Sequence, residues 1–233
     1  CQVTNIRRIQ EFSKKENIML TQDYKRICLY GVPRSGSTYV FYNLVEHVLN
    51  HCWNGFNTDF NIYKKGSEPF RQDVKQKLQE FKNEECWLAK VHSIDIRNLE
   101  EENLYNEFVS LPDYKILLLR KDLFEATLSL CVASIKQQWT NNHDDVQIYV
   151  DEDKFIEMYN HQYNYKNMYN EMQFDNIIYT EDLTEDPNDV WRVLTGQEPK
   201  ILINNAIQKS PDKTNVVKNY YKLKDLYNEM HSS

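Results

Sequence analysis

Short apolar runs alternate along the chain with longer segments whose apolar residues recur every three or four positions. The short runs have the length and composition of buried strands, and they are residues 26–30, 86–91, 115–119 and 176–179. The longer segments have the spacing of amphipathic helices, and they are residues 36–49, 69–83, 122–139, 151–172 and 187–194. Pro187 opens the last of these helices and Gly196 ends it. Another helix is predicted around residues 6–12.

Strands that alternate with helices predict an α/β fold, a three-layer sandwich in which helices cover both faces of a central parallel sheet. We expect a single domain over residues 1–233, with insertions at 51–85 and 140–175 that are candidates for binding a substrate. In sheets of this kind, ligands bind beyond the carboxyl ends of the strands. Residues at the strand ends are therefore the candidates for binding and catalysis.

Composition and charge narrow the functional classes. The 233 residues are 41% hydrophobic and 27% charged, and the net charge is -7. An acidic surface argues against nucleic acid as a partner, because binding to phosphates needs a basic face. An anion site on this chain must therefore be a local concentration of positive charge.

The five cysteines have no metal-ligand or redox spacing. An odd number of cysteines predicts free thiols in a reducing compartment, and hence a cytoplasmic location. No apolar stretch approaches the roughly 20 residues of a membrane span. The first residue is Cys1 and not methionine, so the sequence leaves open an upstream signal or anchor.

The segment Gly31-Val-Pro-Arg-Ser-Gly-Ser-Thr38 has the frame of a P-loop between a predicted strand and a predicted helix. Glycines let the backbone approach an anion, and the helix N-terminus favours negative charge. P-loop NTPases carry lysine directly after the second glycine, whereas this chain has Ser37 there and Arg34 inside the loop. The residues at the ends of the predicted strands are Gly31, His92, Arg120 and Thr180. None of them is a carboxylate that could help to hold Mg²⁺, which argues against an ATP-dependent enzyme.

The residues Pro33–Thr38 resemble the 5'-phosphosulfate-binding loop of the PAPS-dependent sulfotransferases, which use 3'-phosphoadenosine 5'-phosphosulfate as sulfuryl donor. The resemblance implies that Arg34 neutralises the oxygen bridging phosphorus and sulfur. It also implies that the 5'-phosphate is held by loop amides and hydroxyls, those of Ser35, Gly36, Ser37 and Thr38. An ordinary turn that caps a helix is the alternative.

A second segment, from Leu118 to Leu130, resembles the 3'-phosphate-binding segment of the same family. It has an arginine at a strand end and a serine in the following helix, and it is most similar to bacterial trehalose sulfotransferases. The resemblance implies that Arg120 binds the phosphate through its fork of N–H groups and that Ser129 donates from the helix. The alternative for Arg120 is an ion pair with a nearby carboxylate.

Lys90-Val-His92 ends the second predicted strand, and alternation places Lys90 and His92 on one face. The segment is similar to the Lys-x-His of cytosolic sulfotransferases, which implies that His92 is the general base. Relatives of the trehalose type use a glutamate instead, and Glu46 and Glu68 are the local carboxylates.

Weaker similarities lie elsewhere in the chain. Tyr39 stands where cytosolic relatives have an adenine-stacking tryptophan, and a core position is the alternative for it. Thr180 occupies a position where the family usually has tyrosine. Lys213 and Lys218 lie in a segment that looks like the family's C-terminal tail, and exposed lysines without a ligand are the alternative there.

The sequence therefore predicts a sulfotransferase that moves a sulfuryl group from PAPS to a hydroxyl on a small molecule or glycan. In this prediction PAP, the desulfated nucleotide, is the product, and no metal is needed. The alternatives are a P-loop kinase or NTPase and a non-catalytic PAP-binding protein. The sequence leaves the identity of the acceptor and the oligomeric state open.

Overall fold

A computed structural model describes residues 24–47, 55–57, 68–101, 103–136, 147–196 and 212–232. These residues form two compact units. The sheet unit contains the described residues up to 121 and those of 171–196, and the helical unit contains those of 122–170 and 212–232. The helix predicted around residues 6–12 lies outside the described ranges. The sequence predicted one domain over residues 1–233, and the division into two units leaves that as a prediction.

The sheet unit is built on a parallel sheet with the strand order β2-β3-β1-β4-β5. The strands are β1 (Arg26–Gly31), β2 (Gly55–Asn57), β3 (Trp87–His92), β4 (Tyr114–Leu119) and β5 (Asn176–Tyr179). The four predicted strands are confirmed to within one residue at each end. β2 was not predicted, because three residues at a sheet edge are too short for a periodic pattern.

Six helices of the sheet unit surround this sheet: α1 (Ser37–His47), α2 (Glu68–Asn83), α3 (Ser93–Glu101), α4 (Tyr105–Val109), α7 (Thr180–Glu185) and α8 (Pro187–Thr195). α8 begins and ends as its sequence predicts. The Asp186 side chain accepts from the amides of Asn188 and Asp189, and Gly196 closes the helix in the left-handed region at φ 68°.

Helices pack against both faces of the sheet. One face carries alternate apolar residues of β1 and β4, such as Leu29 and Leu118, and these pack with Val40 of α1 and Trp191 of α8. On the other face Trp87 meets Phe81 of α2, with ring centroids 4.9 Å apart.

Aromatic contacts extend this second face. Phe108 of α4 packs on both Phe81 and Tyr30. All three rings are fully buried, and full burial stabilises such a side chain by about 1.5–3 kcal/mol. The predicted α/β fold, with a parallel sheet between two helical layers, is therefore confirmed.

The helical unit comprises α5 (Leu123–Lys136), α6 (Glu152–Met168), α9 (Lys213–Val216) and α10 (Tyr220–His231). α5 and α6 pack through buried apolar residues that include Phe124 and Phe155, and Leu223 of α10 joins the same cluster. No helix within the described ranges has both the length and the apolar character needed to cross a membrane.

Candidate anion-binding site

The loop between β1 and α1 has an unusual backbone. Gly36 has φ 75° and Arg34 has φ 69°, so both lie in the left-handed region. Glycine adopts this region without penalty, whereas an L-residue with a side chain pays roughly 1–2 kcal/mol there. Conformations of this kind concentrate at binding and catalytic sites. The strained backbone at Arg34 therefore makes this loop a candidate binding site.

The loop also lies very close to the strand that precedes it. The amide of Ser35 donates to the carbonyl of Val32 at 3.3 Å, and the Ser35 side chain is fully buried. A Cβ atom placed on Gly31 would lie 2.8 Å from Ser35 Oγ. A side chain at position 31 would therefore require Ser35 Oγ to shift.

The start of α1 has the electrostatics of an anion site. The first amides that bond within the helix are those of Tyr39 and Val40, which donate to the carbonyl of Gly36 at 3.0 and 3.3 Å. The amides of Ser37 and Thr38 precede them, at the positions whose N–H groups have no intrahelical acceptor. The first turn carries no acidic side chain. No acidic side chain in the first turn of α1 therefore neutralises the positive end of the helix dipole.

Thr180 joins the loop to the central strands. Its hydroxyl Oγ1 lies 2.8 Å from the carbonyl oxygen of Ser35 and 3.1 Å from that of Leu119, the last residue of β4. Its methyl group lies near Gly36, where an added Cβ would be 3.7 Å from it. The loop, β4 and α7 therefore meet at this one side chain.

Arg120 follows β4 and pairs with a carboxylate of α7. Its Nε donates to Glu181 Oε1 at 3.2 Å, and the backbone amide of Lys121 donates to Glu181 Oε2 at 3.0 Å. Both partners of the ion pair are largely buried, with 16% and 25% of their side chains exposed. The alternative for Arg120, an ion pair with a nearby carboxylate, is therefore present in the structure, and Glu181 is the partner.

Glu181 is held in its ionised form. Burial alone would raise its pKa, but the backbone amides of Lys121 and Glu181 itself and the Arg120 guanidinium outweigh burial and lower the pKa. The site therefore contains a stable carboxylate that partly neutralises Arg120.

The two arginines predicted to bind phosphate are neighbours. Burial lowers the pKa of Arg34, and the positive charge of Arg120 lowers it further. One guanidinium comes from the loop after β1 and the other from the end of β4, two strands that pair side by side. Two cations whose charges act on each other at one edge of the sheet favour the binding of an anion there.

β3 contributes a further cation that the sequence did not identify. Lys90 pairs in register with Leu29 of β1, and its Nζ lies 3.4 Å from Thr38 Oγ1 in the first turn of α1. The alternation of residues along β3 predicted that Lys90 and His92 lie on one face. The contact of Lys90 with Thr38 depends on β3 lying beside β1, and alternation alone does not determine that neighbour.

His92 ends β3 directly opposite Gly31 of β1. Its backbone amide donates to Asp95 Oδ2 at 2.9 Å, and the Asp95 side chain is buried in the first turn of α3. The ring atom Nδ1 is buried while the residue as a whole is partly exposed.

The remaining predicted residues differ in their burial. Tyr39 is 2% exposed and belongs to the core cluster, and burial raises the pKa of its hydroxyl. These surroundings favour the core position over a role in adenine stacking. Ser129 is buried in α5 of the helical unit, and its role stays a prediction. Lys213 is buried and Lys218 exposed in the same unit. The side chains of Glu46 and Glu68 lie outside the described part of the chain.

Comparison with known proteins gives no assignment: no family model matches the chain, and no curated protein matches it significantly.

Proposed function

We propose that the chain is a PAPS-dependent sulfotransferase that sulfates a hydroxyl group. The observation that carries the proposal is that Thr180 Oγ1 lies at hydrogen-bond distance from the carbonyls of Ser35 and Leu119, the residues next to Arg34 and Arg120. A nucleotide with separate 3' and 5' phosphate groups offers one anion to each guanidinium. The resemblance of the Pro33–Thr38 and Leu118–Leu130 segments to the two phosphate-binding segments of sulfotransferases supports the same pairing.

The charges of the described residues are consistent with such a donor. Arg34, Arg120 and Lys90 supply three cations around the loop, and Arg120 pairs with Glu181. The amides and hydroxyls at the start of α1 add donors that bind phosphate oxygens without a formal charge. These cations gather around one loop of a chain whose net charge is -7.

His92 supplies the proton acceptor in this mechanism. Its Nε2 takes the proton of the acceptor hydroxyl as the hydroxyl oxygen forms its bond to sulfur. The bond between sulfur and the bridging oxygen breaks, and the electron pair stays on that oxygen as PAP is released. Arg34 and the loop amides stabilise this negative charge, and Lys90 lies beside them at Thr38. Neither proton transfer nor charge stabilisation requires a metal in this scheme.

The acceptor class is a hydroxyl-bearing small molecule or glycan. Sulfuryl transfer requires the hydroxyl oxygen to reach sulfur in line with the leaving oxygen, so the acceptor binds on the side of the loop opposite the nucleotide base. The predicted acceptor regions, residues 51–85 and 140–175, lie only partly within the described ranges.

A thermal-shift screen tests the nucleotide class. PAP, ADP and ATP are each added to the chain with and without Mg²⁺, followed by a transfer assay with PAPS and a panel of phenols, sugars and other alcohols. The proposal predicts stabilisation by PAP without Mg²⁺ and formation of a sulfated product. Stabilisation by ATP only with Mg²⁺ would contradict it in favour of a kinase or NTPase. Binding of PAP without transfer to any acceptor would favour a non-catalytic PAP-binding protein.

A further inference from the structure

We infer that Thr180 and Glu181, the first two residues of α7, are positioning residues that set the spacing and direction of Arg34 and Arg120. The inference rests on the proposed function, because it assigns these residues a role in the same nucleotide site. Neither residue is expected to touch the reacting atoms.

The hydroxyl of Thr180 lies between two carbonyl groups, each next to one of the arginines. The first carbonyl belongs to Ser35, which follows Arg34, and the second belongs to Leu119, whose peptide bond leads into Arg120. The two oxygen–oxygen distances are 2.8 and 3.1 Å. Loss of the hydroxyl would release the loop from the end of β4 and change the separation of both guanidinium groups.

Glu181 fixes the direction of Arg120 with two separate oxygens. Oε1 accepts from Arg120 Nε, while Oε2 accepts from the backbone amide of Lys121. Because the second contact anchors the carboxylate to the main chain beside Arg120, the first contact determines how the guanidinium is turned. Within the described residues, Nε is the nitrogen through which Arg120 donates, which leaves its two terminal nitrogens for a ligand.

The positive charges of the two arginines act unfavourably on each other. Arg34 also occupies a strained left-handed conformation. A positioning pair that ties the loop and Arg120 to one helix counteracts this repulsion before the ligand arrives. Displacement of a binding group by about 1 Å can lower a rate by about 100-fold, so a loss of positioning has measurable consequences.

The adjacent residue offers a matched control. Asp182 also belongs to α7, and it pairs with the exposed side chain of Lys121 and not with either arginine. Asp182→Asn removes a carboxylate from the same helix turn, one residue from Glu181. It leaves the Glu181 and Thr180 contacts in place.

The test measures PAP affinity, kcat and KM for wild type, T180V, T180S, E181Q and D182N, together with hydrogen exchange at the loop amides. T180V is expected to weaken PAP binding by about three- to tenfold and to speed exchange at residues 35–38, and T180S restores both because it keeps the hydroxyl. E181Q is expected to raise KM for PAPS by about tenfold and to reduce the preference for PAP over adenosine 5'-phosphate. D182N behaves as wild type.

The outcomes separate this inference from the proposed function. If wild type binds PAP, but T180V and E181Q bind it equally well and exchange as wild type does, the positioning role is wrong while the function stands. Equal losses in D182N and E181Q would also overturn the inference, because a general effect of charge on α7 would then explain both. If wild type does not bind PAP, the proposed function fails, and unchanged loop exchange in T180V would overturn the positioning role as well.

Discussion

The guanidinium groups of Arg34 and Arg120 lie close enough for their charges to interact, although the residues are far apart in the sequence. Burial lowers the pKa of Arg34, and the charge of Arg120 lowers it further. Their proximity follows from topology, because β1 and β4 pair in parallel and both end at the same edge of the sheet. A fold that brings two like charges to one edge of a sheet has the electrostatics of a candidate ligand site.

Arg34→Gly is expected to stabilise the protein while it weakens anion binding. Glycine adopts φ 69° without the penalty that arginine pays, and the substitution removes the repulsion from Arg120. The free energy of unfolding should rise by about 1 kcal/mol, as measured by urea denaturation. PAP affinity should fall by at least about tenfold in calorimetry. A variant that is less stable than wild type and binds PAP normally would contradict the strained, functional role of Arg34.

Gly36→Ala is expected to destabilise the protein by about 1–2 kcal/mol and to weaken PAP binding. The cost comes from the backbone at φ 75°, since the new Cβ would meet its nearest neighbour at an ordinary 3.7 Å. Gly196→Ala is the control, because Gly196 has φ 68° at the end of α8. Both variants should lose similar stability in urea, and only Gly36→Ala should lose PAP affinity. Equal affinities in the two variants would place the loop outside the nucleotide site.

Glu181 should make stability depend on pH in the acid range. Its folded-state pKa lies below the ordinary value of about 4.3, so folding favours the ionised form. This contribution is fully present above about pH 5 and is lost as the pH falls through the folded-state pKa. Glu181→Gln should therefore be less stable than wild type by about 1.5 kcal/mol near pH 7, and the difference should shrink towards about pH 3. Denaturant unfolding at several pH values measures it, and a constant difference would show that the charge of Glu181 is not the cause.

His92→Ala and His92→Gln should bind PAP with wild-type affinity and transfer the sulfuryl group about 10²–10⁴-fold more slowly. Glutamine keeps a polar group near the position of Nε2 but does not accept a proton at neutral pH. Single-turnover kinetics with PAPS measures the chemical step apart from product release. Full activity in both variants would show that His92 is not the base, and Glu46 and Glu68 would be tested next.

The sequence predicted the parts of the fold that depend on local patterns. Strands buried on both faces appear as continuous apolar runs, as in Lys115-Ile-Leu-Leu-Leu119, and a loop with two glycines before a helical pattern predicted the β1–α1 junction. Burial of Tyr39 was open in the sequence, because an aromatic residue in the first turn of a helix fits a core position and a ligand site equally well. The sequence also gave no pattern for β2.

Local sequence patterns did not predict the contacts between segments that are distant in the chain. Glu181 and Thr180 were visible as residues after the last predicted strand, yet their partners belong to β4 and to the loop after β1. Lys90 reaches Thr38 only because β3 lies beside β1 in the sheet. Each of these contacts depends on strand order, which the alternation of apolar and polar residues does not encode.

The claim that each arginine binds a different phosphate of one nucleotide is tested most directly by calorimetry with three ligands. PAP, adenosine 5'-phosphate and adenosine 3'-phosphate are titrated into wild type, Arg34→Ala and Arg120→Ala. The account predicts that Arg34→Ala reduces the preference for PAP over adenosine 3'-phosphate by about tenfold or more, and that Arg120→Ala does the same to the preference for PAP over adenosine 5'-phosphate. Unchanged preferences in both variants would contradict it.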